Sequence, residues 1–505
     1  MAGGMSTGIT LCMIVKNEQR WIEGCLNSVK SIVDDIIIVD TGSTDATIEL
    51  AKPFNPTIFN YTWRNDFSDA RNVGLNAAKT PWIMMMDADE RIASRDLPIL
   101  VAATRKDCTG FELMWRNYGF NPAIDGWTVN TSDYEEGKEF PGYAQDPMLR
   151  IYRNHPLLKY QGVVHEYIPW KKHFPDGRVD VLPAVIHHYG RALSPKRMAE
   201  KGEMYLQLGY AKIKQYPHKW EPYFELGIQL QEFNRHAEAL PHLEKAYELS
   251  NKGTKSGLLL FYIGIAKKHL GDLPGGIATL KRALETGYDT TSVRLTLGNL
   301  YSSQGDIKQA KVQYGLAQSA DPKNSLLLLN QGLLLRDQGD LAGAERMFSE
   351  ALEVNPAYSL PAVELAALRT RQNRRLEAVD ILEKVIKRDP SCDLARRGLA
   401  LLYIQSERPN EAIEILKDAK DDSIVETLRG AAYLNSGQFD LARTIFESVL
   451  KRDRTLIDAR INLGNLYARM GDFTKAARHV LLAYNQTQDR SLMELAERFQ
   501  QMATA

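Results

Sequence analysis

Two carboxylates end an apolar segment in the first hundred residues of this 505-residue chain. Asp87 and Asp89 follow Trp82–Met86, which we predict to be a buried strand. Because side chains alternate along an extended chain, both carboxylates are expected on one face. Two hard oxygen ligands on one face suit Mg²⁺ or Mn²⁺ bound to a diphosphate. An exposed acidic turn is the alternative interpretation, since Asp-x-Asp alone is a common sequence.

Two further charged residues stand where a phosphorylated ligand would meet them. Asp40 ends the apolar segment Ile36–Asp40, and a carboxylate at a strand end can accept a hydrogen bond from an N–H group of a ligand. Arg71 stands in the first turns of a predicted helix and can offset the charge of a diphosphate. The alternatives are a turn or helix-capping acid for Asp40 and a surface salt bridge for Arg71.

The elements that must position these residues follow from the alternation of apolar and amphipathic segments. The predicted strands are Ile9–Lys16, Ile36–Asp40, Thr57–Trp63 and Trp82–Met86, and the predicted helices are Trp21–Ile32, Asp45–Ala51 and Phe67–Lys79. This order is typical of a mostly parallel, doubly wound α/β sheet, whose ligands bind at the carboxyl ends of the strands.

Residues 108–190 have a different character, with many aromatic residues, Gly and Pro. Short strands are expected at Gly110–Trp115, Met148–Tyr152 and Val163–Tyr167. We predict that this part of the first domain shapes the acceptor side of the site.

Beyond about residue 200, small residues recur every 34 positions. Each is followed by another small residue or a valine at 12 and 19 positions further on, and the regularly spaced set is Gly264, Gly298, Gly332, Ala366 and Ala400. Two antiparallel helices approach closely only where their contact residues are small, so the pattern predicts stacked helix pairs. It resembles the tetratricopeptide repeat, of which about eight units fit between residues 220 and 488.

These patterns divide the chain into five parts. Residues 1–8 are expected to be disordered, 9–195 to form the α/β domain, and 196–219 a connecting helical segment. Residues 220–488 would form an all-α solenoid, and 489–505 a C-terminal helix or tail.

Basic and acidic residues are equal in number, 63 each, which gives no global reason to bind nucleic acid. The sequence has no recognisable signal peptide, membrane-length apolar run or CxxC pair, so a cytoplasmic protein without a transmembrane segment is expected.

The order of motifs in the first domain resembles that of family 2 glycosyltransferases of the GT-A fold, a Rossmann-like α/β fold. The matching segments are Val15-Lys16-Asn17-Glu18, Asp40–Asp45, Trp63–Phe67, Ala70-Arg71-Asn72 and Asp87-Ala88-Asp89. The resemblance covers about residues 9–190. It is closest to a subgroup with lipopolysaccharide-core glucosyltransferases and peptide S-glycosyltransferases, some of which carry C-terminal repeats. It implies a UDP-sugar donor, a Mn²⁺ or Mg²⁺ ion and an inverting hexosyl transfer.

The resemblance also implies roles for residues at the strand ends. The implied nucleotide-binding residues are Val15, Asn17, Glu18, Asp40, Arg71, Asp87 and Ala88. Among them, Glu18 would lie near the ribose, Asp40 would accept from the base, and Arg71 would contact the base or the diphosphate. Asp87 would face the ribose or the metal, and Asp89 would ligate the metal.

A downstream segment, His188-Tyr189-Gly190, fits the subgroup's H-x-G pattern and implies that His188 is a third metal ligand beside Asp87 and Asp89. His187 is the alternative, because adjacent residues of a strand face opposite ways. An imidazole among the ligands favours Mn²⁺ over Mg²⁺.

A second downstream segment, Val164-His165-Glu166, matches the same subgroup. An inverting transfer needs a base that takes the acceptor's proton on the face opposite the leaving diphosphate. Glu166 is the candidate base, and His165 and Asp146 are its rivals.

Three functions remain in competition. The first is transfer from a UDP-sugar to a protein or peptide held by the repeats, since a solenoid's concave face suits an extended peptide. The second is transfer to a lipid-linked or lipopolysaccharide-core acceptor, with the repeats recruiting a partner. The third is a non-catalytic scaffold, against which the retained acidic and histidine residues argue. The repeats can also serve self-association into a homo-oligomer.

Overall fold

The computed structural model describes residues 7–119, 127–131, 133–140, 142–164, 166–190, 195–251, 253, 255–390 and 392–504. The chain divides into two compact units, one ending at Leu327 and one beginning at Leu328. The first unit contains a β-sheet domain and the first helix pairs. The described residues of the second unit are helices and their connections.

Among the described residues, nine strands form one sheet in the first unit. They are β1 (Ile9–Val15), β2 (Asp35–Asp40), β3 (Thr57–Asn60), β4 (Trp82–Met85), β5 (Glu90–Ile92), β6 (Gly110–Gly119), β7 (Trp127–Val129), β8 (Gly142–Arg153) and β9 (Val179–His188). Their order is β3-β2-β1-β4-β8-β6-β9-β5, and β7 pairs with β8. The first four are parallel, which confirms the predicted doubly wound half.

The other half of the sheet is mixed. Strand β8 is antiparallel to β4 and β6, whereas β9 is parallel to β6 and antiparallel to β5. The strand predicted at Val163–Tyr167 is wrong, because Tyr167 forms only an isolated bridge with Gln161. Strand β9 was not predicted, since Pro183 interrupts its pattern. The pairing with β6 shifts register at that point, which accommodates the proline in a bulge.

In the described part of the domain, five α-helices accompany the sheet: α1 (Ile22–Val29), α2 (Thr47–Ala51), α3 (Phe67–Ala77), α4 (Leu97–Ala103) and α5 (Trp170–His173). Leu11 of β1 packs with Ile22 and Leu26 of α1, and all three are fully buried. Helix α3 begins where the Asp66 carboxylate accepts a hydrogen bond from the Asp69 N–H at 3.0 Å. Because α3 packs on β1 and β2, it presents its first turns at the carboxyl ends of those strands.

The remaining helices are α6 (Pro195–Gln215), α7 (Trp220–Glu232), α8 (His236–Leu249), α9 (Ser256–His269), α10 (Leu273–Glu285), α11 (Thr291–Ser303), α12 (Ile307–Ala320), α13 (Ser325–Asp337), α14 (Leu341–Val354), α15 (Ser359–Arg371), α16 (Arg375–Arg388), α17 (Asp393–Gln405), α18 (Pro409–Leu416), α19 (Ser423–Asn435), α20 (Phe439–Arg452), α21 (Ile457–Arg469), α22 (Phe473–Thr487) and α23 (Arg490–Thr504). In the described residues, α7 to α22 form eight successive pairs, as the 34-residue period predicts.

Close packing within each pair explains the recurring small residues. A Cβ atom at Gly298 would lie 2.3 Å from the ring of Tyr314, and one at Gly332 would lie 2.4 Å from Phe348. Positive φ angles at turn residues such as Gly271 (φ +80°) and Asn373 (φ +60°) reverse the chain between the helices. The spacing of the repeat therefore follows from helix contact and turn geometry.

The ends of the predicted domains differ slightly from the structure. Residues 1–6 of the segment expected to be disordered lie outside the described residues. Thr7 is held in place, because its hydroxyl donates to the Ile32 carbonyl at 2.7 Å. The predicted connecting segment is mostly the single helix α6, and the C-terminal tail is helix α23. No helix in the described part of the chain is both long and apolar enough to cross a membrane.

Candidate active site

A pocket of about 460 Å³ opens at the carboxyl ends of β1 and β4. The side chains that line it come from strand ends, from α3, from the loop before α5 and from α6. They are Ile14, Val15, Lys16, Asn17, Glu18, Thr41, Trp63, Phe67, Arg71, Asp87, Ala88, Asp89, Glu166, His188, Met204 and Tyr205. This is the edge of the sheet where a doubly wound fold binds its ligands.

The loop after β1 forms one wall of the pocket together with the turn after β2. Asn17 has a left-handed backbone (φ +57°), and its side-chain oxygen accepts from the Thr44 N–H at 2.7 Å. Val15 and Glu18 line the pocket beside it. The Asp40 carboxylate accepts from the Ser43 N–H at 2.9 Å and is not among the lining residues. The Asp40 carboxylate thus caps the turn after β2 in this structure, and its contact with a base stays a prediction.

Arg71 is the charged centre of the pocket. Its Nε donates to Glu166 Oε1 at 2.6 Å, and its Nη2 donates to Asp87 Oδ1 at 2.9 Å. Burial opposes the charge of this side chain, but the two carboxylates outweigh it and raise the pKa of Arg71 above its usual range. The third nitrogen, Nη1, is buried and has no hydrogen-bond partner among the described residues. This orphaned N–H group leaves a donor for an anionic oxygen that enters the pocket.

The acidic motif after β4 is a turn, because the Glu90 N–H donates to the Asp87 carbonyl at 3.1 Å. The alternation expected of an extended chain therefore does not apply, and the carboxylates have different partners. Arg71 and Arg150 hold the pKa of Asp87 well below its usual range, although burial opposes them. Asp89 instead approaches His188, with 3.5 Å between Oδ2 and Nε2.

Glu90 organises this turn and was missed in the sequence. It is fully buried, its Oε2 accepts from the Asp87 N–H at 2.9 Å, and its Oε1 accepts from Arg150 at 2.6 Å and from Trp115 at 2.7 Å. Burial raises the pKa of Glu90, although Arg150 opposes that shift. Arg150, its buried partner, lies 60 residues away in sequence, so no local pattern indicates their bond. The position of an acid at the start of a strand is the one sequence feature that points to Glu90.

The pairing of β5 with β9 explains why Asp89 and His188 meet. Glu90 lies opposite His188 in this antiparallel pair, and the Tyr189 N–H donates to the Asp89 carbonyl at 3.0 Å. A Cβ atom at Gly190 would lie 2.5 Å from His188 and 2.9 Å from Asp89, so the glycine of the H-x-G motif leaves room for this approach.

Asp89 and His188 suit a divalent cation as a pair of oxygen and nitrogen donors. The side chains are 12% and 15% exposed, so both are accessible from the pocket while being largely shielded. The described residues contain no group of three or more His, Cys, Asp or Glu able to hold a metal. Arg71 holds Asp87 in this structure, so Asp89 and His188 are the two predicted ligands that face each other, and the set of three stays a prediction. A cation bound by two protein groups can complete its shell with phosphate oxygens and water.

The two adjacent histidines have separate environments. His187 is fully buried, its Nδ1 lies 2.6 Å from the Tyr118 hydroxyl, and Tyr134 packs edge-on against its ring. Burial and, to a lesser extent, Arg116 lower the pKa of His187 from 6.5 to about 3. His188 faces the pocket, where its Nδ1 lies 3.0 Å from Asn117 Oδ1. His187 is therefore part of the core.

The three candidate bases have different positions. Glu166 lines the pocket and its side chain is 13% exposed. Asp146 lies in an exposed part of β8, opposite Trp115, and is not among the lining residues. His165 lies outside the described residues.

Helix α6 supplies a wall of the pocket that was not predicted. Met204 and Tyr205 line the cavity, and the Tyr205 ring stacks on Phe67 with 5.7 Å between ring centroids. The segment expected only to connect the two domains is thus part of the site.

The α/β domain thus has a pocket at the ends of its parallel strands, lined by an arginine and by an Asp–His pair. Residues 10–155 match the model for "Glycosyl transferase family 2". Residues 295–359, 369–423 and 427–490 match tetratricopeptide repeat models. The chain therefore carries a family 2 glycosyltransferase domain at its N-terminus, followed by tetratricopeptide repeats.

The sequence is similar to parts of two bacterial proteins. A TPR repeat-containing protein of Synechococcus elongatus is 28% identical over 63% of this chain and 75% of its own length. The SPbeta prophage-derived glycosyltransferase SunS of Bacillus subtilis is 27% identical over 47% of this chain and 53% of its own. The chain thus matches about half the length of SunS. A solved tetratricopeptide repeat protein from Parabacteroides merdae aligns with 49% of this chain and 98% of its own, at 19% identity and a TM-score of 0.38.

Proposed function

We propose that this chain is an inverting, metal-assisted glycosyltransferase that moves a sugar from a UDP-sugar to a protein or peptide acceptor. The observation that carries the proposal is the buried, unpartnered Nη1 of Arg71 in a pocket that also contains the Asp89–His188 pair. Both features suit a diphosphate with its counter-cation. The proposed location is the cytoplasm, as expected from the sequence.

In this proposal seven of the residues that line the pocket have a defined task. Val15 and Glu18 contact the nucleoside, and Arg71 donates to the diphosphate. Asp89 and His188 hold a Mn²⁺ or Mg²⁺ ion. When bound, that ion would neutralise the charge that develops on the departing UDP. Asp87 and Glu166 keep Arg71 oriented and charged, since both bind its guanidinium.

We propose Glu166 as the general base, because it is the described candidate that lines the pocket. Its bond to Arg71 supports a competing role, in which Glu166 only orients the arginine. Asp146 remains the rival base, since its opposite neighbour Trp115 packs against the His188 ring with 4.5 Å between centroids. In either case the base takes the proton of the acceptor atom that attacks the anomeric carbon.

The acceptor is proposed to bind the repeats. Exposed apolar side chains occur on the first helices of two successive pairs in the second unit, namely Leu394 and Leu401 on α17 and Ile424 on α19. Apolar groups left in water on a soluble surface indicate an interaction site when they cluster. A protein or peptide segment would cover them better than a small sugar.

The donor is tested with a panel of UDP-sugars and GDP-sugars, with Mn²⁺ or with EDTA, scored for nucleotide release and thermal shift. We expect one or a few UDP-sugars to release UDP with Mn²⁺, and the GDP-sugars to give no release. A chain that neither binds nor hydrolyses any donor would contradict the enzyme and favour the scaffold.

The acceptor is tested with Leu394→Asp combined with Leu401→Asp in the full chain. Truncation at residue 200 is unsuitable, because it would remove Met204 and Tyr205 from the pocket. We expect unchanged UDP-sugar hydrolysis and at least roughly tenfold less sugar transferred to protein in an extract of the source organism. Leu376→Asp is the matched control, since Leu376 is 85% exposed on the second helix of its pair. Unchanged labelling of the same protein bands, or label found only in lipid or lipopolysaccharide, would contradict a protein acceptor bound by the repeats.

A further inference from the structure

We propose that Lys212 of α6 is a positioning residue that couples the first helix pair of the array to the loop carrying Glu166. This inference rests on the proposed function, since the importance of Glu166 comes from it. The loop, residues 160–166, runs between the end of the sheet's β8 and helix α5, and Glu166 stands at its end.

Helix α3 holds the first part of this loop. The Asn72 side-chain amide donates to the Tyr160 carbonyl at 3.0 Å and its oxygen accepts from the Tyr160 N–H at 2.9 Å. The Ser68 hydroxyl donates to the Gly162 carbonyl at 2.6 Å, and the Phe67 N–H donates to the Val163 carbonyl at 3.0 Å. The backbone is thereby fixed up to Val163.

Lys212 binds the next carbonyl from the opposite side. Its Nζ donates to the Val164 carbonyl at 3.0 Å and to Glu225 Oε2 of α7 at 2.6 Å. Lys212 is only 8% exposed, so its ammonium needs a counter-charge, which Glu225 supplies from the first helix pair. The buried Lys212 thus links the Glu225 carboxylate of the first helix pair to the Val164 carbonyl, two residues before Glu166.

Loss of the Lys212 ammonium should alter the position of Glu166 in the pocket. Without the Lys212 ammonium, the Val164 carbonyl loses this donor. Among the described residues, the loop then keeps its bonds to α3, the Gln161–Tyr167 bridge at its base and the bond of Glu166 to Arg71. A displacement of about 1 Å in a reacting group can cost on the order of a hundredfold in rate. Donor binding should change less than turnover, because Arg71 keeps its second bond, to Asp87, and because the Asp89–His188 pair lies on other elements. The expected effect is therefore on turnover.

The test compares Lys212→Met, Lys212→Arg and Glu225→Gln in the full chain, with Lys214→Met as the control. Lys214 is an exposed lysine two residues further along α6. We expect Lys212→Met to lower kcat by roughly 10- to 100-fold with KM for the donor within about threefold. Lys212→Arg should restore kcat to within about threefold of wild type, and Lys214→Met should match wild type.

Two further readouts separate positioning from general damage. Combining Lys212→Met with Glu166→Gln should cost clearly less than the product of the two single losses, because both act through Glu166. Hydrogen–deuterium exchange should be faster in the peptide that covers Val163–Tyr167 of Lys212→Met and unchanged in Lys214→Met. Should Lys212→Met fold poorly, Glu225→Gln must show the same exchange change in weaker form.

Wild-type kcat and exchange in the Lys212 and Glu225 variants would overturn the coupling, as would fully multiplicative losses in the double variant. A wild-type chain that releases no UDP would contradict the proposed function alone. The exchange measurement would then still decide whether Lys212 holds the loop.

Discussion

The pocket is built from two regions that obtain their geometry in different ways. On the side of the parallel strands, side chains bond to the backbone of the turns: Asp40 accepts from the Ser43 N–H of its own turn, and Glu90 accepts from the Asp87 N–H. Asn17 accepts from the Thr44 N–H of the neighbouring turn after β2. On the side of β9, the 160–166 loop and α6, the positions depend on long-range contacts, such as those of Lys212 with Val164. In the proposed function, the first side binds the nucleotide, which is the same for every acceptor. The geometry of the second side depends on elements that adjoin the repeats, so it is the side proposed to meet the acceptor.

The largest effect on turnover is expected from the side of the 160–166 loop, which carries Glu166, the proposed base. Glu166→Gln should lower turnover by roughly two to four decades with little change in UDP affinity, since the amide keeps the shape but cannot take a proton. Steady-state kinetics and calorimetry with UDP measure the two effects. Asp146→Asn is the matched variant and should retain most of the activity.

Two results would assign Glu166 differently. If Glu166→Gln lost UDP affinity by as large a factor as turnover, the main role of Glu166 would be to orient Arg71 for nucleotide binding. Near-normal turnover of Glu166→Gln with a large loss in Asp146→Asn would move the base to β8.

A smaller effect is expected from substitution of His187 in β9. It concerns the pH dependence of the free energy of unfolding, because this imidazole is buried in the core. The folded domain keeps this imidazole neutral, with a pKa of about 3, whereas the unfolded chain takes up a proton near pH 6.5. Between these values the unfolded state binds more protons, so the free energy of unfolding falls as the pH drops. The contribution of His187 approaches about 1.4 kcal/mol per pH unit below pH 6.5.

Urea unfolding followed by tryptophan fluorescence measures this dependence, because six of the seven tryptophans lie between residues 21 and 170. His187→Gln should flatten the slope between pH 6.5 and 5 by close to one proton. An unchanged slope in His187→Gln would show that this imidazole does not titrate on unfolding.

The difference between the two regions also decided what could be predicted from the sequence. Strands β1 and β2 were predicted, because apolar runs encode them. Strand β9 was not, since Pro183 breaks its pattern and the bulge that tolerates it depends on pairing with β6. The Glu90–Arg150 bond and the contact of Tyr205 with Phe67 join residues far apart in sequence. No local pattern indicates such contacts, so the α6 wall was taken for a connecting segment.

The most direct test of the account is UDP binding to wild type and Asp89→Asn, measured by calorimetry with Mn²⁺ and with EDTA. Asp89 is one of two proposed ligands of the cation, and its neutral amide leaves the cation with His188 alone. The account predicts that wild type binds UDP at least tenfold more tightly with Mn²⁺ than with EDTA, and that Asp89→Asn loses this difference while its far-UV circular dichroism stays unchanged. A metal dependence that persists unchanged in Asp89→Asn would contradict the proposed cation site.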